Sequence, residues 1–176
     1  TQKPSSAASD VYKRQEYVDV VTIGKVLQAA GTFYTEELNP KAGLIAGTFN
    51  GSIASLNAGK ATVRYLKEGN FYGEKGRIKD LETKFKAKFK ALSEGSCKGK
   101  IPYYGGIGTM LSFEVGDGSV DVTNKFMKKL FENGIISFSA GKEPTRVRFL
   151  LPLPLLDSHI DEIFSIVEKT VLETIN

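Results

Sequence analysis

The sequence predicts an α/β protein whose second half is a compact α+β layer, a small sheet covered by helices. Two patterns predict this fold. Short apolar or β-branched segments, which are typical of strands, occur at 19–24, 107–115, 135–138 and 146–151. Apolar residues at helical spacing occur within 51–67, 78–92, 119–133 and 157–174. Strands and helices therefore follow one another along the chain, and no internal repeat is visible.

The first third of the chain contains one predicted strand and one predicted helix. Residues 1–15 have no periodicity and are predicted to be a non-native or disordered tail. The segment 19–24 is β-branched and apolar and ends in Gly24, which predicts a short buried strand. The helix at 51–67 is rich in glycine, alanine and serine, and small residues allow close backbone approach. We therefore expect a tightly packed helix.

The remaining elements follow the same periodicities. The strand at 107–115 comes after a pair of glycines, and Ser119 can cap the helix that follows. That helix ends at Asn133, and Asp157 or Ser158 can cap the last helix after two further strands. The most regular helix ends at Gly95, and its apolar face carries Ile78, Leu81, Phe85, Phe89 and Leu92.

Composition excludes several classes of protein. The chain has 176 residues, of which 41% are hydrophobic and 25% charged, as expected for one globular domain. One cysteine and one histidine allow neither an intrachain disulfide nor a Cys/His zinc site, and no metal site is expected. Since no apolar run reaches about 18 residues, no membrane span is predicted either.

The net charge of +4 is concentrated in residues 73–100, which carry many more lysines and arginines than acidic residues. This run has two interpretations, an RNA-binding patch or the solvated face of a helix. The solvated face is favoured because the run lacks interleaved arginines and exposed aromatic residues. A basic α+β RNA-binding module remains the alternative outside enzymes.

Two features in the first third of the chain are suited to chemistry. Lys25 follows the apolar strand directly, and burial would lower the pKa of its amine and make it a nucleophile toward carbonyls. A surface lysine that ends an edge strand is the commoner arrangement. Thr48 lies in a Gly47–Gly51 segment that leads into a helix, where its hydroxyl and free backbone N–H groups would suit a phosphate. An ordinary helix cap by Thr48 or Asn50 is the other interpretation.

The third feature is a pair of arginines on the strand at 146–151. Alternation places Arg146 and Arg148 on one face of the strand, opposite Val147 and Phe149. An arginine on such a strand can bind a carboxylate with two parallel hydrogen bonds. It can also be an exposed arginine of an edge strand, and the residues alone leave both interpretations open.

These features occur with others in a specific order along the chain: Asp19–Lys25, Thr48-Phe49, Gly106–Glu114, Gly134–Phe138, Arg148–Pro152 and a last helix at Asp157–Thr174. The ordered set, from about residue 17 to the C-terminus, resembles the C-terminal part of class III aminotransferases. These enzymes depend on pyridoxal phosphate and include the acetylornithine, ornithine, lysine-epsilon and 4-aminobutyrate aminotransferases. The resemblance implies the type I fold of pyridoxal-phosphate-dependent transferases. Residues 16–68 would be the C-terminal part of the large domain with the interdomain helix, and 69–176 would be the small C-terminal α+β domain.

The resemblance also implies a function. Lys25 would form the Schiff base with pyridoxal phosphate, Thr48 would contact the cofactor phosphate of a neighbouring subunit, and Arg148 would hold the substrate carboxylate. The enzyme would be a cytoplasmic homodimer that binds neither nucleic acid nor membrane. It would move an amino group, expected to be the terminal amine of an amino-acid donor, to a 2-oxo-acid acceptor such as 2-oxoglutarate.

Two further expectations follow from the resemblance. The upstream elements that complete the family's cofactor site are not in these 176 residues, so the chain is expected to be a fragment that is inactive alone. The strand before Lys25 and the helix after Thr48 would then lack their packing partners. The same residues are also compatible with an aminomutase, racemase or decarboxylase of the same fold, since they determine the cofactor and not the outcome of the reaction.

Overall fold

The computed structural model describes residues 18–45, 47, 48 and 50–175. The predicted tail, 1–15, lies outside the described residues. The chain divides into two compact units, 1–73 and 74–176. The predicted domain change after residue 68 stays a prediction; a helix ends at Glu68, and the two units divide after Gly73.

The first unit contains a two-stranded antiparallel hairpin and one long helix. Strand β1 (Val20–Ile23) pairs with β2 (Gly31–Tyr34), and a short 3₁₀ helix at Lys25–Leu27 lies in the connection between them. A second 3₁₀ helix spans Glu36–Leu38, and helix α1 spans Ile53–Glu68. Strand β2 was not among the predicted strands, because the four residues Gly-Thr-Phe-Tyr are too few to show a period.

The burial that the local sequence predicts for two elements of the first unit is mostly not present within this chain. Strand β1 is mostly exposed rather than buried, because the described chain pairs it with a single antiparallel strand and covers neither face fully. Helix α1 is also mostly exposed, and Ile53 retains 76% of its surface. Gly59 is the one buried residue among those of this helix. The exposure of both elements matches the expectation that they lack packing partners within this chain.

The second unit is a four-stranded antiparallel sheet with three helices. The strands are ordered β3-β4-β6-β5 in the sheet. They are β3 (Tyr104–Ile107), β4 (Met110–Phe113), β5 (Phe138–Ala140) and β6 (Arg146–Leu150). The helices are α2 (Arg77–Glu94), α3 (Val120–Glu132) and α4 (Asp157–Thr174).

An aromatic cluster forms the core of the second unit. Phe89 of α2 is almost fully buried, with its ring centroid 4.7 Å from that of Phe113 on β4 and 4.8 Å from that of Phe164 on α4. Phe85 and Phe149 complete the cluster. The predicted apolar stripes of α2 and α4 are thus confirmed as the buried faces of these helices. The helices and one face of the sheet make a packed scaffold for the residues on the other face.

Three boundaries in the second unit differ from those predicted. The segment 107–115 is not one strand, since β3 and β4 form a hairpin that turns at Gly108, whose φ is +61°. The predicted strand at 135–138 begins only at Phe138. Helix α4 starts at Asp157 after Leu156, so neither Asp157 nor Ser158 caps it. The cap by Ser119 is confirmed, because its hydroxyl accepts a hydrogen bond from the Val122 N–H at 3.4 Å.

A network of charges joins the N-terminal ends of α2 and α4. Asp157 accepts hydrogen bonds from Arg77 at 2.7 Å and from Lys84 at 2.5 Å. Asp80 lies in the same network and accepts from both cations. Arg77 also donates to the carbonyl of Leu155, just before α4. Two helices far apart in sequence are thereby held together at their first turns.

We expect the stability of the second unit to fall at acid pH as Asp157 takes up a proton. The bonds from Lys84 and Arg77 hold the pKa of Asp157 below its usual value in the folded protein. The network therefore contributes fully above the unfolded-state value of about 3.9, and its contribution is lost as the pH falls through the lower folded-state pKa. Asp157→Asn should flatten the acid limb of a plot of urea midpoint against pH, followed by circular dichroism.

The matched control for this prediction is Asp161→Asn. Asp161 lies on the same helix and pairs with Lys88 at 2.5 Å, but it is about three-quarters exposed. Asp157 is also more than half exposed, but it accepts from two cations, whereas Asp161 makes one solvent-screened pair, so the Asp161→Asn variant should retain most of the acid limb. Identical profiles for the two variants would show that the Asp157 network has no special part in acid stability.

The lysines of α2 are paired with carboxylates. Lys86 lies 2.7 Å from Glu82, Lys79 lies 3.5 Å from the same carboxylate, and Lys88 reaches Asp161 on α4. Their charge is therefore compensated locally, which favours a solvated helix face over an RNA-binding patch.

Among the described residues, no helix combines the length and the apolar character needed to cross a membrane.

Candidate functional site

Lys25 lies in an unusual turn at the end of β1. Its φ is +58° and that of Gln28 is +57°, and within the described ranges these are the two non-glycine residues with positive φ. The Gln28 N–H donates to the Lys25 carbonyl at 2.9 Å and closes the turn. Such a conformation costs a lysine about 1–2 kcal/mol relative to the right-handed region. Strained residues of this kind are concentrated at functional sites.

Helix α1 packs against the Lys25 turn. Gly59 is the residue of contact, since a Cβ atom at this position would lie 2.8 Å from the Leu27 carbonyl oxygen and 3.6 Å from the Ala29 side chain. The predicted close approach through small residues is therefore present at this one position. The contact at Gly59 sets how closely the Lys25 turn packs against helix α1.

Gly59→Ala is expected to destabilise the first unit by about 1–3 kcal/mol, because the added methyl group would overpack the contact with Leu27. A loss of stability would be informative, because alanine has a better helix propensity than glycine by about 1 kcal/mol. Without the close contact, the change would be expected to stabilise the helix. Asn57→Ala, at an exposed position two residues earlier, should be neutral or stabilising. Hydrogen exchange of the α1 amides measures both variants, and added protection in Gly59→Ala would contradict the prediction.

Thr48 lies in a separate turn before α1. The Asn50 N–H donates to the Gly47 carbonyl at 3.1 Å, and the Thr48 side chain is exposed. Its neighbour Phe49 lies outside the described residues. The N-cap of α1 is Ser52, so the alternative of a cap by Thr48 or Asn50 is wrong. The Thr48 hydroxyl is therefore not used to begin the helix.

A cavity of about 790 Å³ lies beside both turns. Gln28 of the Lys25 turn lines it, as do Asn50 next to Thr48, Lys41 and Tyr34. Lys25 and Thr48 themselves are not among its lining residues. The structure thus brings the two turns to one cavity in the first unit, although it does not direct the two side chains into it.

The two arginines of β6 have different surroundings, which the sequence could not show. Both lie on the face opposite the buried Val147 and Phe149, as predicted. The Arg146 Nε lies 3.4 Å from the Glu114 carboxylate, and its guanidinium carbon is 4.1 Å from the centre of the Tyr103 ring. Arg146 is therefore held by partners of its own unit. Register explains this, because Glu114 follows the β4 residue that pairs with Val147.

Arg148 has no such acidic partner among the described residues. Its Nε atom is buried and makes no hydrogen bond within the described part of the chain. The guanidinium carbon lies 5.7 Å from the centre of the Phe138 ring, on the neighbouring strand. A buried donor without a partner is costly. Among the described residues the Arg148 Nε atom thus has no acceptor of its own, which suits the guanidinium to an external acceptor such as a carboxylate.

The described residues offer little other polar chemistry. No group of three or more metal-ligating side chains is found within them. Cys97 is buried, and burial raises the pKa of its thiol, which makes it a poor nucleophile. Lys25, Thr48 and Arg148 therefore remain the candidates, two in the first unit and one in the second.

Comparison with known proteins identifies the family of the chain. The family described as aminotransferase class-III matches residues 11–171. The diaminobutyrate–2-oxoglutarate transaminase of Halomonas elongata is 30% identical over 162 residues, which are 86% of this chain and 37% of that protein.

Solved structures show the fold. The lysine aminotransferase of M. tuberculosis has a TM-score of 0.74 at 17% identity, over 93% of this chain and 38% of its own. The ornithine aminotransferase of Toxoplasma gondii has a TM-score of 0.70 at 22% identity, over 92% of this chain and 39% of its own. The chain thus spans less than two-fifths of the length of each of these relatives. It has the type I fold of pyridoxal-phosphate-dependent aminotransferases, and since the family match covers nearly all of its length, the chain belongs to the class III aminotransferases.

Proposed function

We propose that this chain acts in a pyridoxal-phosphate-dependent enzyme that transfers the terminal amine of an amino acid to a 2-oxo acid such as 2-oxoglutarate. The observation that carries the proposal is the left-handed turn that presents Lys25 at the end of β1. Family membership supports it. The names of the relatives support the substrate class, since diaminobutyrate, lysine and ornithine are amino acids that each carry a second amine at the end of the side chain.

The first unit has the chemical groups that pyridoxal phosphate requires. Pyridoxal phosphate requires an amine for its carbonyl carbon and hydrogen-bond donors for its phosphate. Lys25 is exposed and provides the amine, and Thr48 provides an exposed hydroxyl. Lys41 adds a positive charge to the wall of the adjacent cavity, and the volume of about 790 Å³ lies within the usual range of small-molecule sites.

Lys25 has two proposed roles, and Thr48 and Arg148 have one each. When bound, the cofactor supplies an electron sink that stabilises negative charge on the reacting carbon of the substrate. Lys25 Nζ would hold it covalently and, when free, would move the proton between the reacting carbon of the substrate and the ring-adjacent carbon of the cofactor. The Thr48 hydroxyl donates to the phosphate. The Arg148 guanidinium orients the substrate by binding its carboxylate.

The proposal includes an assembly and a location. We propose that the enzyme is a homodimer in the cytoplasm and that Thr48 contacts the phosphate bound by the other subunit. The exposed apolar surface of the first unit, for example at Ile53, supports an assembly that covers it. No nucleic acid or membrane takes part in the proposed reaction.

The experiment supplies the protein that carries this chain with pyridoxal phosphate, 2-oxoglutarate and one of three donors, diaminobutyrate, lysine or ornithine. We expect glutamate to form with at least one donor, in equal amount to the donor consumed. Release of carbon dioxide, inversion of the donor or an internal shift of its amine, without glutamate, would replace the proposal by one of the same-fold alternatives.

A further inference from the structure

We propose that Phe138 is a positioning residue for Arg148, and that its ring holds the guanidinium in the orientation that binds a substrate carboxylate. The inference rests on the proposed carboxylate-binding role of Arg148. In the register of β5 against β6, Phe138 lies directly opposite Arg148. Opposite residues of such a pair project from the same face of the sheet.

The contact geometry is that of a cation–π pair. The Arg148 guanidinium carbon lies 5.7 Å from the Phe138 ring centre, within the distance of about 6 Å at which a ring face attracts a cation. This contact differs in kind from the one that holds Arg146. Glu114 occupies a donor of Arg146, whereas an aromatic face orients an arginine without taking up one of its N–H donors.

Phe138 has no evident role in the core. It is 51% exposed, on a strand at the edge of the sheet. The ring pairs of the second unit join Phe85, Phe89, Phe113 and their neighbours, and Phe138 is in none of the ring pairs found among the described residues. The ring of Phe138 is therefore not needed by the aromatic cluster, and it is available to the arginine opposite.

The experiment compares Phe138→Leu, Phe138→Tyr and the unchanged chain by NMR of the ¹⁵N-labelled arginine Nε–H groups during titration with 2-oxoglutarate. Sulfate at matched ionic strength measures any general response to anions. In Phe138→Leu we expect a looser Arg148 guanidinium and binding of 2-oxoglutarate weakened about two- to fivefold, which is the strength of an exposed cation–π pair. Phe138→Tyr retains the ring face and should restore both readouts.

Two controls separate the possible failures. Phe131→Leu makes the same change at a phenylalanine of α3 that is 65% exposed, and it should leave Arg148 and the affinity unchanged. Arg148→Ala tests the carboxylate site itself. If Arg148→Ala binds 2-oxoglutarate like the unchanged chain, the proposed role of Arg148 fails, whatever the Phe138 variants do.

The positioning role fails by a different result. It is overturned if Arg148→Ala weakens binding while Phe138→Leu leaves both the affinity and the order of the guanidinium unchanged. It is equally overturned if the unchanged chain shows no response of Arg148 to 2-oxoglutarate beyond that to sulfate. Should Phe138→Leu unfold the sheet, Phe138→Thr replaces it with a residue that favours strands, and the same outcomes decide. In the active protein, Phe138→Leu should raise KM for 2-oxoglutarate and leave kcat nearly unchanged.

Discussion

Lys25→Ala is expected to lower kcat/KM for transamination by about 10³-fold or more in the protein that carries this chain. The change removes two proposed functions at once, the covalent attachment of pyridoxal phosphate and the movement of a proton at the reacting carbon. The left-handed turn should persist, because alanine is no more costly there than lysine. The loss of activity should therefore occur without a loss of folded protein, as followed by glutamate formation and circular dichroism together.

Trapping and rescue make this prediction specific to Lys25. Borohydride should attach the cofactor to the peptide that contains Lys25, and mass spectrometry should find no such adduct in Lys25→Ala. Lys60→Ala, on the exposed surface of α1, is the matched control and should retain both the adduct and the activity. Added ethylamine should restore part of the activity of Lys25→Ala by supplying the missing amine. An adduct on another lysine would refute the assignment.

Helices were easier to predict than strands in this chain, for a physical reason. The apolar stripe of α2 repeats over 18 residues, so its buried face could be identified from spacing alone. Strands β2 to β5 have only three or four residues each, too few for a period of two to be visible. Their existence depends on pairing across the sheet, and pairing depends on residues distant in sequence.

The side-chain contacts at the candidate site were also only partly predictable from the sequence. The sequence placed Arg146 and Arg148 on one face, and the structure confirms this. It could not show that Glu114 lies beside Arg146 and not Arg148, because that depends on the register of β4 against β6, two strands distant in sequence. The positive φ of Lys25 was equally hidden, since lysine does not favour that conformation and tertiary contacts impose it.

The structure makes the comparison of the two arginines a sharp test of substrate binding. Arg148→Ala is expected to lower kcat/KM for carboxylate substrates by about 10- to 100-fold, mainly through KM, because charge-assisted hydrogen bonds contribute about 1.5–3 kcal/mol. Arg148→Lys retains the charge but not the two parallel donors, so it should recover only part of the loss.

Arg146→Ala is the matched control, two residues away on the same face of the same strand. Its guanidinium is already held by Glu114 and Tyr103, so its loss should affect the stability of the second unit more than KM. The change leaves the partly buried Glu114 carboxylate without its cation, which is expected to cost about 1–3 kcal/mol in urea unfolding. The two variants should therefore differ in kind, one in substrate binding and the other in stability. Equal effects on KM from both would mean that neither arginine is the specific carboxylate ligand, and that the unpaired Nε of Arg148 has another partner in the active enzyme.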